Sequence, residues 1–407
     1  MRGKSIVFVA AALGLLALFP QTEFAQEPQR ARDLGVPFEG APGPRDAITD
    51  VKGVEVGYTT LISGSGKLIV GQGPVRTGVT AVLPRGKAFK DPVFAGFFSQ
   101  NGNGEMTGIH WVKESGFLEG PIMVTNTHSV GVVRDAVIAW EVRHGATQYP
   151  WSLPVVAETW DGWLNDINGF HVRPEDAWHA IETAASGPVA EGNVGGGTGM
   201  ICFGFKGGTG TASRVLPASE GGYTVGVLVQ CNTGSRSELR IGGVAVGRHV
   251  RFPKPYTQLG GPEQGLPGAD TGSIIIVIAT DAPLVSKELD RLCKRATLGL
   301  GRVGGTSGDG SGDLFVSFST ANPRADPARG QAAKTAAGAT APVDVRMLPN
   351  WAMDSLFNAT IEATEEAIIN AMVAARTMKG IDDHTVHALP RQLLEQLMHE
   401  KHAPAPW

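Results

Sequence analysis

The stretch Gly305–Thr320, GTSGDGSGDLFVSFST, sets a hydroxyl residue where chemistry could begin. Gly305, Gly308, Gly310 and Gly312 let the backbone take tight turns. Leu314, Val316 and Phe318 then alternate with Phe315, Ser317 and Ser319, as in a buried strand. Ser311 stands at the junction, behind a deformable glycine and ahead of Gly312 and Asp313. Its hydroxyl could attack the Gly310 carbonyl in an N→O acyl shift. Hydrolysis would leave Ser311 as a new N-terminus, whose α-amine, with a reference pKa near 8, can act as base for its own hydroxyl. An ordinary surface turn ahead of a strand fits the same residues, so the rest of the chain must decide.

A second unusual stretch is Trp151–Asp166, WSLPVVAETWDGWLND. Val155–Val156 read as part of a strand, and Glu158, Asp161 and Asp166 cluster there with Trp151, Trp160 and Trp163. Acids beside aromatics at a strand end suit a pocket for a cationic group, joining charge pairing to a cation–π wall. Solvated acids next to partly buried tryptophans explain the pattern equally well. Asn232 follows the apolar run Tyr223–Gln230, and an amide there can donate to an oxyanion or simply be a turn residue. On the long helical pattern Met353–Met378, Phe357, Ile361, Ile368 and Met372 share a face; Glu365 falls on it, Thr364 flanks it and Glu366 lies on the other side.

These candidates sit in a chain of 407 residues with 42% hydrophobic and 18% charged residues and a net charge of −4. That composition describes a core-forming globular protein and carries no basic signature for nucleic acid. The 55 glycines are scattered among apolar runs without a period, which implies tight turns. Arg2, Lys4 and the apolar run Ile6–Phe19 read as a secretory signal peptide ending near Ala25 rather than a retained anchor, which predicts a periplasmic or secreted protein. The three cysteines (Cys202, Cys231, Cys293) lie in apolar contexts and read as buried free thiols rather than a disulfide.

Strands are expected over Ile48–Val56, Leu61–Val70, Thr77–Leu83, Pro92–Ser99, Ile122–Thr127, Tyr223–Gln230 and Ser273–Ala279, with another between the glycine loops of Gly195–Gly210. Helices are expected over Val130–His144, capped by Ser129, over Pro174–Ala185, and after Asp281. Asn101–Gly108 reads as a loop, Arg251–Gly272 as an exposed insertion and Ala321–Val343 as a mobile linker. Gly299–Gly304 spells G-x-G-x-x-G but follows a helix, so a dinucleotide site is rejected. His110, His128, His171 and His179 lack zinc spacing, and no serine sits in a G-x-S-x-G elbow. Many strands, flanking helices and no clean βαβ alternation predict a layered α+β fold.

Several segments together resemble the self-processing L-aminopeptidase/D-esterase and β-peptidyl aminopeptidase family. They are ARDLGVPFEGAPGPRDAITDVKGVEVGYTT, NTHSVGVVRDA, LPVVAETWDGWLNDING, GTGMICFGFKGGTGTASR, VGVLVQCN, IIVIATDAP, GSGDLFVSFSTAN and ATEEAIINAMVAA, in order along nearly all of the mature chain. The resemblance implies a four-layer αββα sandwich of the N-terminal-nucleophile (Ntn) hydrolase type with its own connectivity, and no cofactor. It implies cleavage between Gly310 and Ser311 into a large chain, 26–310, and a small chain, 311–407, of one catalytic domain, assembled as a tetramer of such pairs. Ser311 would be nucleophile and, through its amine, base. Asn232 would be the oxyanion donor, and Glu158 would hold the free amine of a short peptide, amino-acid amide or ester, with Trp160 and Trp151 beside it. Thr364 and Glu366 would orient the nucleophile, although on an ideal helix they point about 160° apart, and Glu365 competes on geometry. Some family members carry tyrosine near Trp160, which here offers an indole N–H instead of a hydroxyl. Two other readings are an acyltransferase of the ornithine acetyltransferase type and a periplasmic amine- or peptide-binding protein.

Overall fold

The computed structural model describes residues 30–87, 89–147, 149–253, 255, 272–326 and 342–402. The expected signal peptide and most of the 251–272 and 321–343 segments lie outside them. In chain order the described strands and helices are β1 (Glu55–Ser63), β2 (Val75–Lys87), β3 (Val93–Gly102), α1 (Ile109–Ser115), β4 (Phe117–Leu118), β5 (Ile122–Asn126), α2 (Val130–His144), β6 (Val155–Thr159), α3 (Pro174–Glu182), β7 (Ile201–Cys202), β8 (Phe205–Lys206), β9 (Gly208–Val215), β10 (Thr224–Asn232), β11 (Ser273–Thr280), α4 (Ser286–Arg302), β12 (Gly312–Ser319), α5 (Asp354–Ala374), β13 (Met378–Lys379), β14 (Thr385–Val386) and α6 (Arg391–His402).

Two sheets carry the fold. One has the strand order β1-β2-β5-β6, the other β4-β3-β12-β11-β10-β9. The period of two in each strand sorts its side chains between layers. In β11, Ile275, Val277 and Ala279 face the other sheet and meet Val82, Ile122, Val124 and Val155. Ile274, Ile276 and Ile278 face outward, against Leu289, Leu292, Ile368 and Met372 of α4 and α5. Across the molecule, Val79, Ala81 and Met123 pack under Val133, Val137 and Trp140 of α2 and Ala177 and Ile181 of α3. The result is the expected αββα sandwich. Continuous apolar runs such as SIIIVIA follow from it, because strands between two layers are buried on both faces.

Close approach of helix to sheet depends on small residues. A Cβ on Gly210 of β9 would stand 2.0 Å from the Ala367 carbonyl oxygen and 2.6 Å from the Ala371 nitrogen of α5. Both distances lie far inside van der Waals contact, so any side chain there would push α5 off the sheet.

Some expectations fail for identifiable reasons. Ile48–Val56 is not one strand: Asp50 accepts hydrogen bonds from the Arg45 and Ala47 amides and closes a 3₁₀ turn, and β1 starts at Glu55. β1 ends at Ser63, where Gly64 and Gly66 take φ of 69° and 86°. Asp281 does not cap α4, which begins at Ser286; its carboxylate accepts from the Thr224 amide. The cysteine reading is also corrected. Cys202 and Cys231 form a disulfide, with Cα atoms 5.6 Å apart, joining the β7–β8 hairpin to β10, and Cys293 alone is a buried free thiol. Their apolar settings suit cystine as well as thiol, and only the fold reveals the proximity. Burial pushes the Cys293 thiol up to about 12.

The disulfide closes a loop of 29 residues, for which chain entropy gives about 3–4 kcal/mol of stabilisation. The Cys202→Ser/Cys231→Ser double variant should lose about that much in urea unfolding, and thiol titration of the denatured, unreduced wild type should find one free thiol.

Candidate active site

The end of β12 and the end of β3 build the site together. Antiparallel pairing sets Gly312 opposite Gly102 and Asp313 opposite Asn101, with a register shift after Asp313. The turn before β12 is closed by the Ser311 amide donating to the Gly308 carbonyl (2.8 Å). Asn101 Nδ2 donates to Gly308 O (2.6 Å) and to Ser311 Oγ (3.0 Å). Ser311 Oγ in turn donates to Asp313 Oδ2 (2.9 Å). Asn103 Nδ2 donates to the Gly310 carbonyl oxygen (2.9 Å), and the Asn103 backbone N–H donates to the Ser311 carbonyl oxygen (3.0 Å). Ser311 and Asp313 are fully buried. Every polar atom of the Gly310–Ser311 linkage described here thus has a named partner.

Glu158, the last but one residue of β6, reaches the same place from the other sheet. A Cβ on Gly104 would stand 3.2 Å from the Gly312 Cα and 3.4 Å from Glu158 Oε1, so a single glycine separates the carboxylate from the residue after Ser311. Oε1 accepts from the Glu105 amide (2.9 Å), and Oε2 from the Thr127 hydroxyl. Burial raises the pKa of Glu158 above the usual carboxylate range, and those two hydrogen bonds oppose the rise. A cavity of about 260 Å³ lies beside this loop, lined by Phe97, Ser99, Gly104, Met106, His110 and Leu314.

Asn232 ends β10 opposite Ser273, whose hydroxyl accepts from the Gly312 amide (3.0 Å). It therefore lies at the same end of the six-stranded sheet as Ser311. Its Oδ1 accepts from the Ile201 amide (2.7 Å), and its Nδ2 donates to the Trp160 carbonyl (3.0 Å). The Trp160 indole lies across Gly162 and is 44% exposed.

The other candidates do not converge. Trp151 is 57% exposed and stacks on Tyr149 with ring centroids 5.3 Å apart. Trp163 is buried and stacks on His384. Asp161 is a buried structural acceptor for Asn126 and Asn165, its pKa pushed up to about 6 by burial. Asp166 takes the Gly71 and Gly73 amides and His171. The expected wall of three acids and three tryptophans thus resolves into one carboxylate at the site, because Asp161 and Asp166 lie past the end of β6 and are engaged elsewhere.

Thr364 and Glu366 are not brought to Ser311. Thr364 donates to the Thr360 carbonyl within α5 and packs against Gly299 of α4. Glu366 is fully buried and grips Arg32 (2.7 Å) and Arg214 (2.8 Å). Arg214 stands opposite Val225, near the start of β10, whereas Asn232 ends that strand seven residues on, some 23 Å away at about 3.3 Å per residue. Glu365, expected on the apolar face, is the more exposed of the two acids and pairs with Arg302. The helix is covered on two sides, by β9–β10 and by α4, so a single-face reading misassigned both acids. Around Glu366, burial and the neighbouring Glu366 charge push Asp46 up to about 6, and burial pushes Glu191 up to about 7.

Asn101, Asn103, Asp313, Ser273 and Thr127 were not singled out from the sequence. Two signals pointed to some of them: Asp313 is two residues from Ser311, on the same face of the strand, and NGNG offers paired amides in a deformable loop.

The model of peptidase family S58 matches residues 46–386. The chain belongs to peptidase family S58. It is 54% identical over 378 residues to the β-peptidyl aminopeptidase BapA of Sphingosinicella microcystinivorans, covering 91% of this chain and 92% of that one. A solved β-aminopeptidase from Burkholderia is 45% identical with a TM-score of 0.82, covering 93% of this chain and all of its own. The L-aminopeptidase D-Ala-esterase/amidase of Ochrobactrum anthropi, described as a variant of the Ntn-hydrolase fold, gives 45% and 0.82 over 92% of this chain and 99% of its own. This S58 chain is accordingly a serine aminopeptidase of the Ntn-hydrolase type, acting on peptides.

Glu366→Gln should leave the buried Arg214 short of a counter-charge and cost about 3 kcal/mol. Urea unfolding measures the loss. Any fall in activity of the folded variant should track stability, since Glu366 lies far from Ser311.

Proposed function

We propose that Ser311 cuts its own chain after Gly310 and then removes the N-terminal residue from short peptides, amino-acid amides or esters, with β-amino-acid residues preferred. The observation that carries this reading is the Asn103 side-chain Nδ2 on the Gly310 carbonyl oxygen, beside a Ser311 hydroxyl already aligned by Asn101 and Asp313. A donor on that oxygen favours the charge that develops when Oγ attacks. Cleavage would free an α-amine with a reference pKa near 8, able to take the hydroxyl proton from the next substrate.

In this reading Glu158 holds the substrate's ammonium, which limits cleavage to the N-terminal residue. The adjoining cavity takes that residue's side chain. Asn232 keeps one N–H of its amide for the oxyanion while the other stays on Trp160. The β-preference follows the β-peptidyl aminopeptidase activity named for the relatives. The leader at residues 1–25 would deliver the protein to the periplasm or the medium, where the two chains, 26–310 and 311–407, would assemble as a tetramer of pairs.

Denaturing mass spectrometry tests the cut. Wild type should give two fragments, the smaller beginning SGDLF, and Ser311→Ala one intact chain; an uncut wild type after long incubation would remove self-processing from this protein. Glu158→Gln should lower kcat/KM for substrates with a free amine by about 30-fold or more. Because burial raises the pKa of Glu158, its proton persists to higher pH than on an ordinary carboxylate. The acid limb of kcat/KM should therefore lie above the usual carboxylate range, and it should vanish in Glu158→Gln.

A further inference from the structure

The amine that serves as base after cleavage is an amide before it, with no lone pair to offer. Self-cleavage therefore needs another base, and it must touch the Ser311 hydroxyl. We propose that Asp313 is that base: a catalytic residue of the maturation step, replaced in the peptidase reaction by the amine it helps to create. The proposal rests on the self-cleavage reading above.

The hydrogen-bond directions lead to it. Asn101 Nδ2 bonds the Gly308 carbonyl, which can only accept, so this edge of the amide is a donor. The same Nδ2 occupies a lone pair of Ser311 Oγ. The hydroxyl hydrogen is left to Asp313 Oδ2 at 2.9 Å, within the range required of a general base. Among the described residues Asp313 is the only carboxylate hydrogen-bonded to that hydroxyl. Glu158 is committed to the Glu105 amide and Thr127, and Glu366 to its arginines. Asp309 within the turn, Glu105 beside Gly104 and His110 in the adjoining cavity are further titratable groups around it.

The proton balance closes without another reagent. Asp313 takes the hydroxyl proton as Oγ bonds to the Gly310 carbonyl carbon. Asn103 holds the oxyanion. The carbon–nitrogen bond to Ser311 breaks, and Asp313 returns the proton to the departing nitrogen. Water then hydrolyses the Gly310–Ser311 ester, giving a Gly310 carboxylate and a free Ser311 hydroxyl.

The test uses full-length Asp313→Asn, which keeps the side-chain shape. Folding is checked by thermal unfolding, and cleavage is followed by denaturing mass spectrometry between pH 6 and 9 after cell-free synthesis. Wild type should mature quickly, with a rate nearly flat in pH. Asp313→Asn should be cut at least about 100-fold more slowly, and its rate should climb about tenfold per pH unit as hydroxide replaces the missing base. Asp313→Glu, which retains a carboxylate, should keep the flat profile and serves if the asparagine variant fails to fold. Asp313→Asn cleaving at the wild-type rate would overturn the assignment. So would a slowed but flat profile, or a steep profile in Asp313→Glu, since loss of structural support alone would not change the pH dependence. An uncut wild type would sink the self-cleavage reading first, and these arms separate the two failures.

Discussion

The pairing of β3 with β12 is the constraint on which the site depends. It sets Asn101 across from Asp313, and the loop that follows β3 then lays Asn103 on the Gly310 carbonyl. The backbones meet with no room to spare: a Cβ on Gly312 would stand 2.4 Å from the Asn103 carbonyl oxygen and 2.9 Å from the Gly104 Cα. Gly312 and Gly104 are needed because two chain segments and the Glu158 carboxylate converge within the width of one residue. A shift of one residue in this register would turn Asp313 to the other face of its strand and uncouple it from Ser311.

The arginine–carboxylate cluster on the far side anchors a different part of the molecule. Arg30 bonds Glu191, Asp46 and the Thr211 carbonyl, and Arg32 bonds Glu366. Through these the start of the described chain is bound to β9 and α5. Burial of several carboxylates together raises the pKa of Asp46 and Glu191, while the guanidinium groups offset part of that cost. Glu362 and Glu366 of α5 thus belong to the architecture, clamping helix to sheet around Arg214.

Much of this was legible from residue order alone. Ser311, Asn232 and Glu158 do gather at one end of the sandwich, and continuous apolar strands with flanking helices did indicate the layers. Glu158 was separable from Asp161 and Asp166 only through the fold, because all three follow one apolar run and differ in where the chain turns after Thr159. Thr364 and Glu366 were misplaced because periodicity identifies a buried face but not what covers it, and α5 has two covered faces. The Cys202–Cys231 bond needed the β7–β8 hairpin to fold back on β10, a long-range proximity without a local signature. Asn101 and Asn103 looked like turn residues, since side chains that serve a distant loop have no local pattern.

β12 lies inside its sheet, between β3 and β11, and α5 covers β9 and β10. Once the chain is cut at Gly310, as proposed, both elements belong to the small fragment, while the disulfide joins only residues of the large one. The precursor would fold as one molecule, at a rate independent of dilution. The mature protein, if unfolded, would have to reassemble from two separate pieces, one of them supplying a central strand. Refolding would change from first to second order in concentration, and maturation would leave an enzyme whose persistence is governed by how slowly it opens.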